Sequence, residues 1–199
     1  MKLFDTKIIS ISNQKGGVGK TTSSVNIATY LAASEIPTLI IDMDPQANST
    51  SGLGIEIQND IKSIYDVIIK EVRPEDAIQR TSLDYLDIIP SSSQLVGAEI
   101  ELVSEISREY MLKEALDKIK GRYKYIIIDS PPSLGLLTLN VLSASNSIII
   151  PIQCEYYALE GLSQLLNTIR LVQKRLNSKL EIEGILVTMY DSRLNLSKQ

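Results

Sequence analysis

The stretch "NQKGGVGKTT", Asn13 to Thr22, gathers three glycines, two lysines and two threonines. Its end, Gly19-Lys20-Thr21, fits the close of a phosphate-binding loop, G-x-x-x-x-G-K-[ST], but Gln14 stands where that pattern has its first glycine. The loop is therefore a variant, and Lys15 is an extra cation on it. If the loop opens a helix, the amides of Gly17 to Thr22 converge where orphan N–H groups and the helix dipole favour an anion. The nucleotide-binding set is then Lys15, Gly16, Gly17, Val18, Gly19, Lys20, Thr21 and Thr22. Lys20 reaches the β- and γ-phosphates, and the Thr21 hydroxyl offers magnesium a hard oxygen ligand. A plain glycine-rich turn with solvated lysines is the bland alternative. It is disfavoured because strand, loop, Gly-Lys-Thr and helix would have to coincide by chance.

Two acidic strand ends could complete such a site. "YIIIDSPP" runs four apolar or aromatic residues into Asp129, the pattern of an aspartate that holds a magnesium-bound water. "LIIDMDPQANST" ends a second run with Asp42 and Asp44. Either aspartate alone also suits a helix cap or an Asx turn. Two such ends beside a phosphate loop favour function.

The elements that must position these groups are legible as alternation. "KIISIS", "PTLIIDMD", "LDIIP", "YIIIDS", "SIIIPI" and "IEGILVTM" read as strands, several apolar without a period of two, as in parallel strands covered on both faces. "TTSSVNIATYLAAS" sets Val25, Ala28, Leu31 and Ala32 on one helical face. "LEGLSQLLNTIRLVQKRL" does the same with Leu159, Leu162, Leu166, Ile169 and Leu176, and "PSSSQLVGAEIEL" is a serine-rich helix start. The expected fold class is α/β: a doubly wound, mostly parallel sheet with helices on both faces.

Composition narrows the function classes. With 199 residues, 44% apolar and 22% charged, one soluble domain spanning 1–199 is the default. No apolar run is long enough to span a bilayer, so the expected place is the cytoplasm. The one cysteine, Cys154, permits no internal disulfide and supplies no zinc or iron–sulfur site by itself; a buried, inert thiol is the expectation. A formal charge of −4 excludes a uniformly basic coat, so any DNA binding must be regional.

"KGGVGKTT" resembles the deviant Walker A loop of the ParA/MinD group of P-loop ATPases. "DMDPQANST", "IIIDSPPSLG" and "PIQCEYYALEGLSQL" look like its chromosome-partitioning ParA branch, the Soj type, and the match runs along nearly the whole chain. The resemblance implies an ATP- and magnesium-dependent ATPase of slow intrinsic rate that forms a homodimer around ATP. Lys15 would cross to the partner subunit's phosphates while Lys20 serves its own, which accounts for two lysines on one loop. The catalytic set is then Asp44, Lys15 and Lys20, with Asp44 positioning the attacking water and Asp42 shaping the loop around the metal. Thr21 and, through water, Asp129 would hold the metal.

The resemblance also implies non-specific DNA binding, a ParB-like centromere-binding partner, and a nucleoid-associated location. "YDSRLNL" matches the family segment that carries a DNA-contacting arginine, making Arg193 the first candidate. Arg170 and Lys174 share a polar helix stripe with Ser163 and Asn167, beside Arg175; alone, that stripe reads as a solvated face. The family's domain continues beyond "RLNLS", so a C-terminal section is expected to be missing here, with the adenine contacts in it. Thr188 and Met189 could line a base pocket or simply close a strand. A MinD-like membrane ATPase and a nucleotide-binding scaffold without hydrolysis are the alternatives. An iron protein of the nitrogenase-reductase kind would need several cysteine ligands.

Overall fold

The computed structural model describes residues 3–56, 61–153, 158–190 and 193. Seven strands form one sheet among these residues: β1 (Lys7–Ile11), β2 (Thr38–Asp42), β3 (Gln79–Arg80), β4 (Leu86–Ile89), β5 (Tyr125–Asp129), β6 (Ser147–Gln153) and β7 (Glu181–Thr188). Their order is β3-β4-β2-β5-β1-β6-β7, and every pairing is parallel except β3 with β4. The six expected strands are all present. The two-residue β3 carries no run of β-branched residues and is found only through its pairing.

The helices are α1 (Lys20–Ala33), α2 (Asn48–Gly52), α3 (Ile64–Ile68), α4 (Pro74–Ala77), α5 (Leu95–Glu101), α6 (Met111–Asp117), α7 (Leu136–Ala144) and α8 (Ala158–Arg175). Inner-strand side chains alternate between two layers, as the pleat requires. Ile9, Ile11, Ile40, Ile88 and Ile127 pack with Ala28 and Ala32 of α1, with Val25 and Leu31 at the margin. On the opposite face Ile8, Leu39, Ile41, Ile89, Ile126 and Ile128 pack under α3, α5, α6 and α7. Ile148 and Ile150 meet Leu165, Ile169 and Val172 of α8, with Leu162, Leu166 and Leu176 partly buried; the Leu159 side chain lies outside the described residues. This is the doubly wound arrangement, with helices on both faces.

β7 departs from the expectation of strands covered on both sides. Ile182, Ile185, Leu186 and Val187 are 38–52% exposed, and none of them joins the core cluster of β6 and α8. Cys154 lies outside the described residues.

Candidate nucleotide site

β1 delivers the chain to Asn13, whose side chain ties the start of the loop down. Its amide nitrogen donates to the Pro151 carbonyl at 2.7 Å and its oxygen accepts from the Lys15 N–H at 3.0 Å. Gln14 also has a structural occupation: its Nε2 donates to Gln164 Oε1 of α8 at 3.0 Å, so the residue replacing the usual first glycine fastens the loop to a helix. Gly17 and Gly19 have φ of 74° and 86°, left-handed values that side chains disfavour. A Cβ at Gly16 or Gly17 would meet nothing, which leaves the outer side of the loop open to a ligand. Val18, 1% exposed, plugs the loop into the core, and its carbonyl accepts from the Thr188 hydroxyl at 2.9 Å. That hydroxyl also donates to the Ile152 carbonyl, and the Thr188 methyl lies against Gly19. Of the two roles open to Thr188, these contacts fit the strand-end one; Met189 is 61% exposed.

Lys20 and Thr21 open α1, with Thr22 exposed beside them. The Lys20 ammonium is buried and donates to the Lys15 carbonyl at 3.0 Å, folding back over its own loop. Burial lowers its pKa, while the nearby Asp129 and Asp44 carboxylates oppose that shift and favour its charge. Lys15 itself is half-buried.

The acidic strand ends meet because parallel register sets them level. Ile11 and Asp42 both pair with Asp129, so the carboxyl ends of β1, β2 and β5 finish together beneath the loop. Asp129 is wholly buried. Its Oδ2 accepts from Ser49 Oγ at 2.7 Å and its Oδ1 from Ser24 Oγ at 3.2 Å, and it is hydrogen-bonded to the Thr21 side chain as well. Burial raises its pKa; the three hydroxyls work in the other direction. Thr21 and Asp129, the expected metal pair, thus touch. Magnesium keeps several waters and needs only one or two protein oxygens plus phosphate, so this donor set fits it.

Asp42 and Asp44 form consecutive Asx turns, the structural role open to each of them. Asp42 Oδ1 accepts from the Asp44 N–H at 3.1 Å, and Asp44 Oδ1 from the Gln46 N–H at 3.0 Å. Asp42 Oδ2 takes two further bonds from Thr50, from N–H at 2.8 Å and Oγ1 at 2.7 Å. Burial still drives its pKa up to about 6. Asp44 is 7% exposed and lies near enough to Lys20 and Asp129 to interact with both charges. Ser24, Ser49 and Thr50 are the residues that sequence reasoning missed. The Thr50 Oγ1 also accepts from the Ser91 N–H at 3.0 Å, linking α2 to the end of β4.

The proposed DNA residues are not brought into this cluster. Arg170 and Lys174 are exposed along α8 with Ser163 and Asn167, and Arg193 is exposed in a turn. Of "YDSRLNL", only Tyr190 and Arg193 belong to the described residues.

A glycine-turned loop between β1 and α1, with Lys20, Thr21 and a buried strand-end aspartate, defines a P-loop nucleotide-binding domain. Residues 6–182 match the AAA domain family. The sporulation initiation inhibitor protein Soj of Bacillus subtilis is 60% identical, over 97% of this chain and 76% of the relative. The chromosome partitioning protein ParA of Myxococcus xanthus is 54% identical, over 97% of this chain and 68% of that protein. A crystal structure of cobyrinic acid a,c-diamide synthase from Mycobacterium smegmatis with bound ADP and magnesium superposes with a TM-score of 0.93 at 41% identity. It covers 97% of this chain and 78% of that one. The chain belongs to the ParA/Soj family of chromosome-partitioning ATPases. Among the described residues no helix is long and apolar enough to cross a membrane.

Proposed function

We propose that this protein is a DNA-partitioning switch that binds ATP with magnesium, dimerises around it, binds DNA without sequence preference as a dimer, and is reset when a ParB-like partner stimulates hydrolysis. The observation that carries the reading is the convergence of the loop, Lys20, Thr21, Asp44 and Asp129 at the level ends of β1, β2 and β5. The partitioning names of the relatives at 60% and 54% identity favour it over the diamide-synthase name of the structure at 41%.

The amides from Gly17 to Thr22 cradle the phosphates, and Lys20 exchanges the Lys15 carbonyl for a β/γ oxygen. Phosphate charge offsets the desolvation of this buried ammonium, so ligand binding favours the charged form that burial alone disfavours. Magnesium, when bound, would neutralise developing phosphate charge; Thr21 would hold it directly and Asp129 through water. Asp44 orients the attacking water. No histidine is available as a strong base, which suits a slow intrinsic rate resting on positioning and electrostatics. Lys15 reaches the partner's nucleotide. Arg193, Arg170 and Lys174 meet DNA phosphates, each weak contact doubled in the dimer, and the protein works in the cytoplasm on the nucleoid.

Two variants test the division of labour. Lys15→Ala should bind ATP yet fail to dimerise, whereas Asp44→Ala should bind ATP and dimerise but not turn over. Light scattering with ATP and magnesium, together with phosphate release, reads both. Normal dimerisation of Lys15→Ala, or wild-type turnover by Asp44→Ala, would remove the assigned roles. A wild-type protein that binds ATP but never hydrolyses it, with or without DNA and partner, would make it a scaffold.

A further inference from the structure

α5 and the 3-10 turn that continues it, Leu102–Ser104, are apolar on two sides. Leu95, Ala98 and Leu102 are buried in the core beneath. On the outer side Val96, Ile100 and Val103, spaced i, i+4 and i+7, are 62%, 77% and 60% exposed, and Ile106 just beyond is 88% exposed. A helix that packs one face normally turns polar residues outward, and an aliphatic patch of this kind marks a surface that something covers.

The frame of the stripe is mainly acidic; Arg108, whose Nη1 donates to the Val103 carbonyl at 2.7 Å, is paired through Nε with Glu109 at 3.3 Å. Glu99, Glu101 and Glu105 alternate with the stripe in sequence, and Glu101, Glu105 and Glu71 line a cleft of about 190 Å³ between this segment and the end of α3. The one lysine in that cleft, Lys70, is paired with Glu114 at 3.1 Å. A second copy docking here by twofold symmetry would set these carboxylates against themselves, so charge complementarity favours a cationic partner.

The stripe is also wired to the nucleotide site. Glu99, on the same helix, accepts from the Leu137 N–H at 3.4 Å, and its Oε1 occupies the space that a Cβ on Gly135 would need. Gly135 ends the loop that leaves Asp129 and caps α7. Any occupant that shifts α5 therefore presses on the segment anchored by Asp129.

We propose that the Val96–Ile100–Val103–Ile106 stripe docks a basic amphipathic helix of a partner protein, and that Glu99 transmits this docking to the loop after Asp129. The proposal rests on the switch reading above and supplies the surface through which a partner alters hydrolysis.

The probe is a labelled synthetic peptide of about four helical turns, with leucines at i, i+3, i+4 and i+7 and lysines elsewhere, beside a scrambled peptide of equal composition. Fluorescence anisotropy should show wild type and the control Leu171→Lys preferring the amphipathic peptide by ~tenfold or more, with the double variant Ile100→Lys/Val103→Lys losing that preference. ATP affinity should stay unchanged in both. The bound peptide should alter ATP turnover in wild type, and Glu99→Ala should bind peptide without that response. Equal binding by the double variant, no preference over the scrambled peptide, or wild-type self-association abolished by the same two lysines would overturn the docking claim. Peptide bound to wild type with unchanged turnover would overturn the coupling. A wild type that binds peptide but no ATP would refute the switch reading instead.

Discussion

Thr50→Val changes one buried hydroxyl into a methyl of similar shape, so its effect isolates the polar link between α2, Asp42 and β4. Thr50 is fully buried. Its Oγ1 gives Asp42 a 2.7 Å bond and receives the Ser91 N–H at 3.0 Å. Losing a hydrogen bond to a carboxylate costs about 1.5–3 kcal/mol, and stranding a buried N–H costs about 1–3 kcal/mol more. A loss of about 3–5 kcal/mol is expected near neutral pH, a large part of the ~5–15 kcal/mol that holds a domain together. The loss has a definite pH dependence. Asp42 is an acid whose folded pKa, about 6, lies above its ordinary 3.8, so stability rises as pH falls through that window. The Thr50 hydroxyl is the largest influence holding that pKa down, and removing it raises the carboxyl further. At about pH 5 Asp42 is mostly neutral in both proteins, so the penalty should shrink by about 1 kcal/mol relative to pH 7. Urea unfolding at the two pH values measures it, with Thr50→Ser, which keeps the hydroxyl, as the rescue. A loss below about 1 kcal/mol at neutral pH, an equal loss in Thr50→Ser, or a penalty that grows on acidification would refute the reasoning.

Lys20→Ala removes the buried cation between the loop and the two carboxylates, and calorimetry should find ATP binding abolished; unchanged affinity would refute the loop assignment. Gly19→Ala forces a side chain to φ 86° and a Cβ to within 3.4 Å of the Thr188 methyl, so unfolding should show a loss of about 1–2 kcal/mol. Arg193→Glu, and more weakly Arg170→Glu, should lower affinity for duplexes of any sequence. Each should also flatten the slope of log affinity against log salt by roughly 0.9 per lost phosphate contact. Wild-type slopes in both would place the DNA surface elsewhere.

Strand runs, phosphate loop and acidic strand ends were legible because each is a local pattern. "YIIID" is a β-branched run ending in a carboxylate, and "GGVGKTT" needs Gly17 and Gly19 at positive φ whatever surrounds it. α7 was not legible. "LLTLNVLSA" carries apolar residues on every side, without the period that betrays a helix, because the sheet, α6 and α8 enclose it together. Nor were Ser24, Ser49 and Thr50, since a hydroxyl in a helix has no pattern of its own. They became partners of Asp129 and Asp42 only when parallel pairing set Ile11, Asp42 and Asp129 level and packed α1 and α2 over those ends. The apolar stripe of α5 follows the same rule. Spacing put Val96, Ile100 and Val103 on one face, but only the packing of Leu95, Ala98 and Leu102 into the core decided that this face stands outside. A chain specifies which groups are near in sequence. Which carboxylate a distant hydroxyl satisfies, and which apolar face stays in water, is decided by the sheet that brings them together.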